Sequence, residues 1–361
     1  MTATTFYPGD PAPWFRAATT TVARFNFDTV AGRHVALLFY GTAGVPQAKA
    51  ALDAVVASRH IFDDRTLCFF GVTADPADVD AGRVAEHVPG IRHFVDNDRA
   101  VSTLYGRIET EGGKVSYAPL WIVLDPTLRV VFTAPIGETE EVLRRLAAIQ
   151  DRPLPSLPAP VLVVPRVIEP AMCRQLVDLY EARGGQSSGF MREIDGKTVA
   201  VRDTAFKRRA DCQIEDEALR TQLRLRLHRR LVPEIRKAFQ FEATRIERYI
   251  VACYDGGEQG FFRAHRDNTT PGTAHRRFAV TINLNAEEYD GGNLRFPEFG
   301  EQSFRAPTGG AVVFSCSLLH EAQPVTRGRR YAFLPFLYDD AGAKIREANL
   351  HTLDLEERPA A

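Results

Sequence analysis

The sequence lacks paired cysteines. No two of its five cysteines form a CxxC motif; they are Cys68, Cys173, Cys212, Cys253 and Cys316. Cysteines scattered in this way fit neither a disulfide framework nor a structural zinc site, and they are typical of proteins in reducing compartments. We therefore expect a cytoplasmic location.

Long apolar runs and an excess of one charge are lacking as well. No stretch of about 18 consecutive apolar residues occurs, and the first residues, MTATTFYPGDPAPWF, do not look like an export signal. The sequence contains 45 Lys and Arg residues against 46 Asp and Glu residues. Because the net charge is near zero, no long-range field attracts nucleic acid or an anionic membrane, and we expect neither as a partner.

Prolines are concentrated in one short segment, DRPLPSLPAP at residues 151–160, where four of ten residues are proline. Such a segment favours an extended, semi-rigid connector over a helix or a central strand. A chain of 361 residues is long enough to bury a core in each of two domains. We therefore predict a first domain at 1–150, a linker at 151–160 and a second domain at 161–361.

Short apolar runs alternate with helical patterns before this linker. VALLFY and TLCFFGV flank a predicted helix from Pro46 to Ser58, and LWIVL precedes an amphipathic helix from Glu138 to Ile149. Strands that alternate with helices are typical of an α/β fold. The first domain is therefore predicted to be α/β.

The second domain begins with helices and continues with strands. A helix is predicted from Pro170 to about Arg183, and another helical region from Asp216 to Phe239 is kinked or divided at Pro233. Five apolar runs follow, separated by glycine, proline and asparagine: ERYIVACY, RFAVTINLN, NLRFP, GGAVVFS and RYAFLPFLY. This order predicts an α+β domain with a β-sandwich or barrel.

One group of residues in this strand-rich region can hold a metal ion. His265 and Asp267 are two residues apart, so on an extended strand both side chains point to one face while Arg266 points away. His320 follows at the end of another apolar run. Two histidines and one carboxylate on one face of an octahedron leave open positions, as Fe(II) oxygen chemistry requires.

A basic residue and a tyrosine complete the predicted site. Arg330 starts the run RYAFLPFLY, where alternation aims its guanidinium along one face, so that it can bind a dicarboxylate bidentately. Tyr254 can add a hydroxyl group. Arg329 remains an alternative to Arg330, because a shift of one residue in strand register exchanges the two faces.

Residues 160–340 resemble the prolyl 4-hydroxylase-like branch of the 2-oxoglutarate and Fe(II) dependent oxygenases. The resemblance rests on the HRD triplet, on GGNLRFPEFG, on LLHEAQPV and on the arginine that follows. It implies a double-stranded β-helix (jelly-roll, cupin-like) core flanked by helices. It also implies that His265, Asp267 and His320 bind Fe(II), and that the 2-oxoglutarate carboxylate is bound by Arg330, with Tyr254 and Asn283 as further contacts.

The resemblance implies the reaction too. Its members use O2 and 2-oxoglutarate to hydroxylate an aliphatic C–H bond, release succinate and CO2, and are often kept active by ascorbate as a reductant. The substrate is a prolyl or other amino-acid, peptidyl or small-molecule group, and the fold does not select among these.

Residues 4–150 resemble the peroxiredoxin and thioredoxin-like redoxins, through YPGDPAPWF, GRHVALLFY and APLWIVLDPTLRVV. Active peroxiredoxins carry a TxxC motif after the first of these strands, but here Thr42 is followed by Val45 at the cysteine position. Cys68 lies in an apolar strand and is interpreted as a buried structural thiol. The resemblance therefore implies a thioredoxin fold without peroxidase activity, which serves homodimer formation, docking or substrate presentation.

Two other functions remain open: a thiol peroxidase with the barrel as an accessory, and a metal-binding sensor without turnover. Two further hypotheses concern single residues. A polar segment ahead of the strands can close over the metal, where Arg202, Lys207 and Arg208 would pair with an anionic substrate. His275 is predicted to be an exposed loop histidine rather than a ligand.

Overall fold

The computed structural model describes residues 5–111, 114–151 and 156–359, so residues 152–155 of the predicted linker lie outside the described part. The chain divides into two compact units. The first comprises Met1–Leu157 with Pro297–Gly300, and the second comprises Pro158–Phe296 and Glu301–Ala361. Within the described residues, no helix is long and apolar enough to cross a bilayer.

The first unit contains nine strands and four α-helices among its described residues. The strands are β1 Arg16–Thr19, β2 Phe25–Asn26, β3 His34–Gly41, β4 Leu67–Thr73, β5 Ile91–Val95, β6 Ile108–Glu111, β7 Lys114–Tyr117, β8 Leu120–Leu124 and β9 Val130–Pro135. The helices are α1 Pro46–Ala57, α2 Ala77–Asp80, α3 Ala100–Leu104 and α4 Thr139–Gln150.

Seven of these strands form one sheet in the order β2-β1-β5-β4-β3-β8-β9. Its centre is parallel, since β3 pairs with β4 and β4 with β5 in the same direction, while β8 and β9 are antiparallel. Strand β4 is buried along its whole length, as expected for a central strand with both faces covered. The prediction of an α/β fold with a helix starting at Pro46 is confirmed.

The second unit has nineteen strands and four α-helices among its described residues. The first ten strands are β10 Leu162–Val164, β11 Gln186–Ser187, β12 Phe190–Ile194, β13 Lys197–Arg202, β14 Lys207–Arg208, β15 Ala210–Gln213, β16 Arg245–Glu247, β17 Ile250–Asp255, β18 Phe261–His265 and β19 Phe278–Asn283. The other nine are β20 Asp290–Gly291, β21 Leu294–Arg295, β22 Ser303–Phe304, β23 Ala311–Ser315, β24 His320–Ala322, β25 Val325–Arg327, β26 Arg329–Phe333, β27 Phe336–Tyr338 and β28 Leu353–Pro359. The helices are α5 Pro170–Arg183, α6 Glu217–Arg226, α7 Val232–Phe239 and α8 Asp340–Asn349.

The helices predicted for the second unit are present, although strands β11–β15 lie between α5 and α6. Pro170 is in the first turn of α5 and Gly184, with φ of +73°, ends it. The Asp216 carboxylate caps α6 by accepting hydrogen bonds from the Ala218 and Leu219 N–H groups. The predicted division at Pro233 also occurs, since a π-helical turn precedes α7 and Pro233 stands in its first turn.

Two sheets make up the core of this unit. The larger sheet has the order β10-β23-β19-β26-β17-β15-β11, with β16 and β27 attached, and the smaller has the order β14-β18-β24-β21-β22. Side chains of β17 point alternately to the two faces of the larger sheet. Val251 and Cys253 lie on the face that packs against α5, α6 and α7, whereas Ala252 and Tyr254 lie on the other face and join a second core. That second core also contains Phe262 of the smaller sheet, so the two sheets face each other across it.

Candidate metal centre

Two histidines lie opposite each other on neighbouring strands of the smaller sheet. His265 is the last residue of β18, His320 is the first residue of β24, and the antiparallel register pairs them directly. Side chains of directly paired residues lie on the same face of a sheet. The ring centroids of His265 and His320 are accordingly 4.3 Å apart.

Asp267 lies just beyond the end of β18, and its N–H donates to the Cys316 carbonyl at 2.9 Å. The prediction that His265 and Asp267 share one extended strand is therefore wrong for the carboxylate, although both side chains converge. Asp267 Oδ1 is 3.5 Å from His265 Nε2, and Oδ2 is 3.4 Å from His320 Nε2. One ligand atom from each of the three residues lies within 4.8 Å of the others.

Backbone carbonyls orient both imidazoles. His265 Nδ1 is 2.7 Å from the Arg263 carbonyl, and His320 Nδ1 is 3.0 Å from the Leu318 carbonyl. Because a carbonyl oxygen only accepts hydrogen bonds, each Nδ1 carries the proton in the neutral ring. Each Nε2 then offers a free lone pair to the space beside Asp267, an arrangement typical of metal-binding histidines.

The charges of this cluster agree with metal binding. Burial, and then the neighbouring His265, lowers the pKa of His320 to about 4, so the ring is neutral at pH 7. Burial opposes ionisation of Asp267, but the two imidazoles outweigh it and hold the pKa of this carboxyl well below its usual range. Asp267 is thus ionised and His320 is neutral, and these are the protonation states in which a carboxylate and an imidazole bind a metal.

Arg330 and Tyr254 face each other between the two sheets. The register of β17 and β26 pairs them directly, and the guanidinium carbon lies 4.9 Å from the Tyr254 ring centroid. Arg330 is 2% exposed. Arg329 has the opposite orientation, since it is exposed and its Nε donates to Asp255 at 2.9 Å.

Arg330 and Asn283 contain buried polar atoms without partners. Nε and Nη1 of Arg330 have no hydrogen-bond acceptor within the described residues, and Oδ1 of Asn283 has no donor. The Asn283 amide group does donate to the Ala306 carbonyl at 2.6 Å. Buried polar atoms are rarely left unpaired, because the loss of hydration is costly. These atoms therefore fit a polar ligand that is bound beside them.

Sequence reasoning did not single out Arg209, which contacts Tyr254 from another strand. Arg209 Nη1 donates to the Tyr254 hydroxyl at 3.5 Å, and its Nε and Nη2 donate to Asp211 at 2.7 and 2.6 Å. The spacing of Lys207, Arg209 and Asp211 contained the signal, because residues two apart on extended chain share one face.

The three basic residues predicted to meet a substrate differ in burial. Lys207 is buried, while Arg202 and Arg208 are exposed. Arg208 is held by backbone carbonyls, those of Thr204 and Glu258. Of the three, only Lys207 remains a candidate for contact with a substrate inside the sandwich.

His275 is buried, so the prediction of an exposed loop histidine is wrong. Its Nε2 is hydrogen-bonded to Glu247, which also accepts from Arg276 Nη2 at 2.7 Å. The Arg276 guanidinium, as the main favourable neighbour, and the His275 imidazole keep the pKa of Glu247 low in spite of burial. The loop is held inward by this buried ion pair, which a sequence pattern does not reveal.

In the first unit, Val45 occupies the position of the cysteine in the TxxC motif. It precedes α1 and is 48% exposed. The Thr42 hydroxyl donates to Asp75 at 2.7 Å. The five cysteines are all buried and free, and burial raises the pKa of the Cys68 thiol to about 12. A thiol in this state is a poor nucleophile at neutral pH.

Two family models match the chain. Residues 249–338 match the 2OG-Fe(II) oxygenase superfamily, and residues 8–133 match the AhpC/TSA family. A PKHD-type hydroxylase from a Synechococcus species is 34% identical over 93 residues, which cover 24% of this chain and 41% of the relative. The chain therefore spans less than half the length of this curated relative.

Solved structures with low identity were also found. A Pseudomonas putida prolyl-4-hydroxylase is 20% identical, with a TM-score of 0.37, and the match covers 50% of this chain and 94% of the other. A bacterioferritin comigratory protein from Xanthomonas campestris is 18% identical, with a TM-score of 0.31, over 38% of this chain and 92% of the other. By the family models, residues 8–133 are similar to the AhpC/TSA family, and residues 249–338 are similar to the 2OG-Fe(II) oxygenase superfamily.

Proposed function

We propose that this protein is an Fe(II)- and 2-oxoglutarate-dependent dioxygenase that hydroxylates an aliphatic C–H bond. One observation carries the proposal: the Nε2 atoms of His265 and His320 converge with the Asp267 carboxylate. Elsewhere in the same sandwich, two nitrogens of the buried Arg330 guanidinium have no acceptor in the described part of the chain. Fe(II) with 2-oxoglutarate supplies the activation of O2 when both are bound. The chain's own residues bind these groups, orient them and exclude water.

His265, Asp267 and His320 would hold the metal. A set of two nitrogens and one oxygen occupies one face of an octahedron and leaves positions for other ligands. The carbonyls that accept from each Nδ1–H fix the ring orientation, so little rearrangement accompanies metal binding. The Asp267 carboxylate balances part of the positive charge of the ion.

Arg330, Tyr254 and Asn283 would bind 2-oxoglutarate. A guanidinium donates charge-assisted hydrogen bonds to a carboxylate, and Nε and Nη1 of Arg330 have no acceptor among the described residues. The Tyr254 ring lies against the Arg330 guanidinium and restricts its position. A dicarboxylate would satisfy donors that are otherwise costly to bury.

The finer architecture belongs to the same proposal. Two facing sheets with helices on the outer face of the larger sheet are compatible with a double-stranded β-helix core. We assign 1–150 to a non-catalytic redoxin-like domain, 151–160 to a linker and 161–361 to the oxygenase domain. The redoxin-like domain would serve docking or homodimer formation. The substrate would be an amino-acid, peptidyl or other small-molecule group.

Succinate formation tests the activity. The full chain is loaded anaerobically with Fe(II) and 2-oxoglutarate, ascorbate keeps the metal reduced, and succinate is measured after O2 is admitted. We expect succinate from the wild type and its loss in His265→Ala. His228→Ala replaces an exposed histidine on the π-helical turn and is expected to behave as the wild type.

A second candidate function is a metal-binding sensor that does not turn over a substrate. The candidate ligands are already oriented before a metal binds, and this arrangement suits such a sensor as well. Such a protein would bind Fe(II) through the same three residues and would consume no 2-oxoglutarate. Stoichiometric iron binding without succinate, and without a visible charge-transfer band on addition of 2-oxoglutarate, would exclude the dioxygenase and favour the sensor.

A further inference from the structure

Lys207 is a buried amine that has no carboxylate partner in the described part of the chain. It is 6% exposed, and its Nζ donates to the Ser188 hydroxyl at 2.6 Å and to the Gly189 carbonyl. Within the described residues, no carboxylate lies within ion-pair distance of this ammonium group. Burial of a charge without a counter-ion is costly, and here it lowers the pKa of Lys207 well below its usual range.

Arg209 is a second buried cation beside Lys207. Its Nη2 also donates to the Ser188 hydroxyl, at 3.2 Å, so the two cationic groups share one acceptor. Asp211 binds the Arg209 guanidinium with both carboxylate oxygens, and this ion pair compensates one of the two charges. Lys207 has no such ion pair of its own within the described residues.

The cosubstrate and the metal do not remove this excess. Fe(II) brings two positive charges and Arg330 a third, while Asp267 and a 2-oxoglutarate dianion bring three negative charges. That group is electrically neutral when complete, so it has no charge left for Lys207. A buried ammonium in the same sandwich therefore favours another anion.

The surroundings of Lys207 connect it to the metal ligands. Its Nζ lies 4.8 Å from the Phe262 ring centroid, and the Phe262 ring stacks on the His265 imidazole at 3.6 Å. Phe206 and Phe190 pack beside Phe262, with ring centroids 5.7 and 6.3 Å from it. These rings form an apolar wall between the cations and His265, suited to the aliphatic part of a ligand.

We propose that the substrate carries a carboxylate, which Lys207 and Arg209 bind while its aliphatic part lies along the aromatic wall towards the metal ligands. This inference rests on the proposed dioxygenase function and names its substrate class: amino acids or peptides with a free carboxylate near the oxidised carbon. The carboxylate supplies the missing counter-ion of Lys207 and accepts charge-assisted hydrogen bonds.

Matched pairs of probes test the proposal by binding. The full chain with Fe(II) and 2-oxoglutarate is titrated under argon with N-acetyl-L-proline, N-acetyl-L-leucine and L-glutamate, and in parallel with the corresponding carboxamides. The perturbation of the iron-to-2-oxoglutarate charge-transfer band gives the dissociation constant. We expect at least one acid to bind roughly 10- to 100-fold more tightly than its amide, as one charge-assisted hydrogen bond predicts.

Variants of Lys207 test whether this residue causes the preference for the acid over the amide. Lys207→Met keeps much of the side-chain volume and is expected to reduce the preference for the acid to within about threefold, whereas Lys207→Arg should restore it. Arg208→Met changes the adjacent exposed residue and serves as the matched control, with the preference of the wild type. If Lys207→Met does not form the band, the ratio of acid to amide affinity in the wild type and in Lys207→Arg still tests the proposal.

Two negative results are distinguishable. If the wild type forms no charge-transfer band before any probe is added, the dioxygenase proposal fails and this inference fails with it. If the band forms but every amide binds as well as its acid, or Lys207→Met retains the full preference, only the carboxylate-binding role is overturned.

Discussion

Arg330 lies directly opposite Tyr254 in the antiparallel pair of β17 and β26, with its guanidinium 4.9 Å from the tyrosine ring. The ring occupies one side of the guanidinium, yet Nε and Nη1 have no acceptor within the described residues. A donor that is positioned but unsatisfied is expected to contribute more to ligand binding than to folding.

Replacement of Arg330 should therefore weaken 2-oxoglutarate binding. Arg330→Met is expected to raise the Kd for 2-oxoglutarate roughly 10- to 100-fold, because charge-assisted hydrogen bonds are lost. Arg329→Met, which changes the exposed neighbour, should alter it less than about twofold. Anaerobic titration of the charge-transfer band gives both constants. A larger effect of the Arg329 variant than of the Arg330 variant would show that Arg329, and not Arg330, binds 2-oxoglutarate.

Metal affinity should depend on Asp267. Asp267→Ala removes the one carboxylate that lies between the two imidazoles. We therefore expect the Kd for Mn(II) to rise more than about 100-fold, which exceeds the effect of losing a residue that only hydrogen-bonds to a ligand. Electron paramagnetic resonance of free Mn(II) measures it. Asp290→Ala changes an exposed carboxylate paired with Arg327 and should leave the affinity unchanged. Equal affinities in both variants would contradict the assignment.

His93 should make the first unit sensitive to acid. Burial lowers the pKa of His93 from 6.5 to about 4, and its Nδ1 lies 3.2 Å from the Tyr40 hydroxyl. Between these two values the unfolded chain binds a proton that the folded protein does not, so the free energy of unfolding falls as the pH decreases from 6.5 to 4. The expected loss is roughly 3 kcal/mol.

Denaturation in urea across this pH range measures the effect in wild type and His93→Gln. We expect the variant to be less stable at pH 7.5 and to lose less stability on acidification. His60→Gln, at an exposed position, should retain the wild-type pH dependence. A wild-type slope that persists unchanged in His93→Gln would assign the acid sensitivity to other groups.

A cysteine at position 45 should be reactive, in contrast to the native thiols. Val45 is exposed at the N-terminal end of α1, where the partial positive charge of the helix stabilises a thiolate. We expect Val45→Cys to react with iodoacetamide at pH 7 roughly tenfold faster than Val56→Cys, placed farther along the same helix. The wild type, with all five thiols buried, should react more slowly than either and should consume no peroxide with dithiothreitol.

The candidate metal ligands can be predicted from the local sequence pattern because few residue types bind Fe(II). The HxD spacing with a distant histidine limits the choice. However, the number of residues between His265 and His320 does not predict how the two side chains are placed in space. Their direct pairing results from the register of β18 and β24, which long-range hydrogen bonds determine. Asp267 converges on the site from outside the strand, since its N–H is held by the Cys316 carbonyl.

Burial that the sequence pattern does not predict results from contacts between residues that are distant in sequence. His275 follows a proline and a glycine, a pattern typical of an exposed loop, but the Glu247 carboxylate holds it in the interior. Lys207 and Arg208 are adjacent and chemically similar, and only the orientation of their strand separates the buried one from the exposed one.

The sequence by itself determined the α/β class of the first unit, the main helices, the proline-rich segment and the types of residue at the candidate site. It did not reveal strands β11–β15, which lie in the polar segment between α5 and α6. Periodicity, capping residues and ligand chemistry are local properties, so they can be read without a fold. The tertiary structure alone decided that Arg330 rather than Arg329 faces Tyr254, and that Lys207 is buried beside Arg209. Strand register and burial depend on pairing between distant segments, and a shift of one residue would reverse both results.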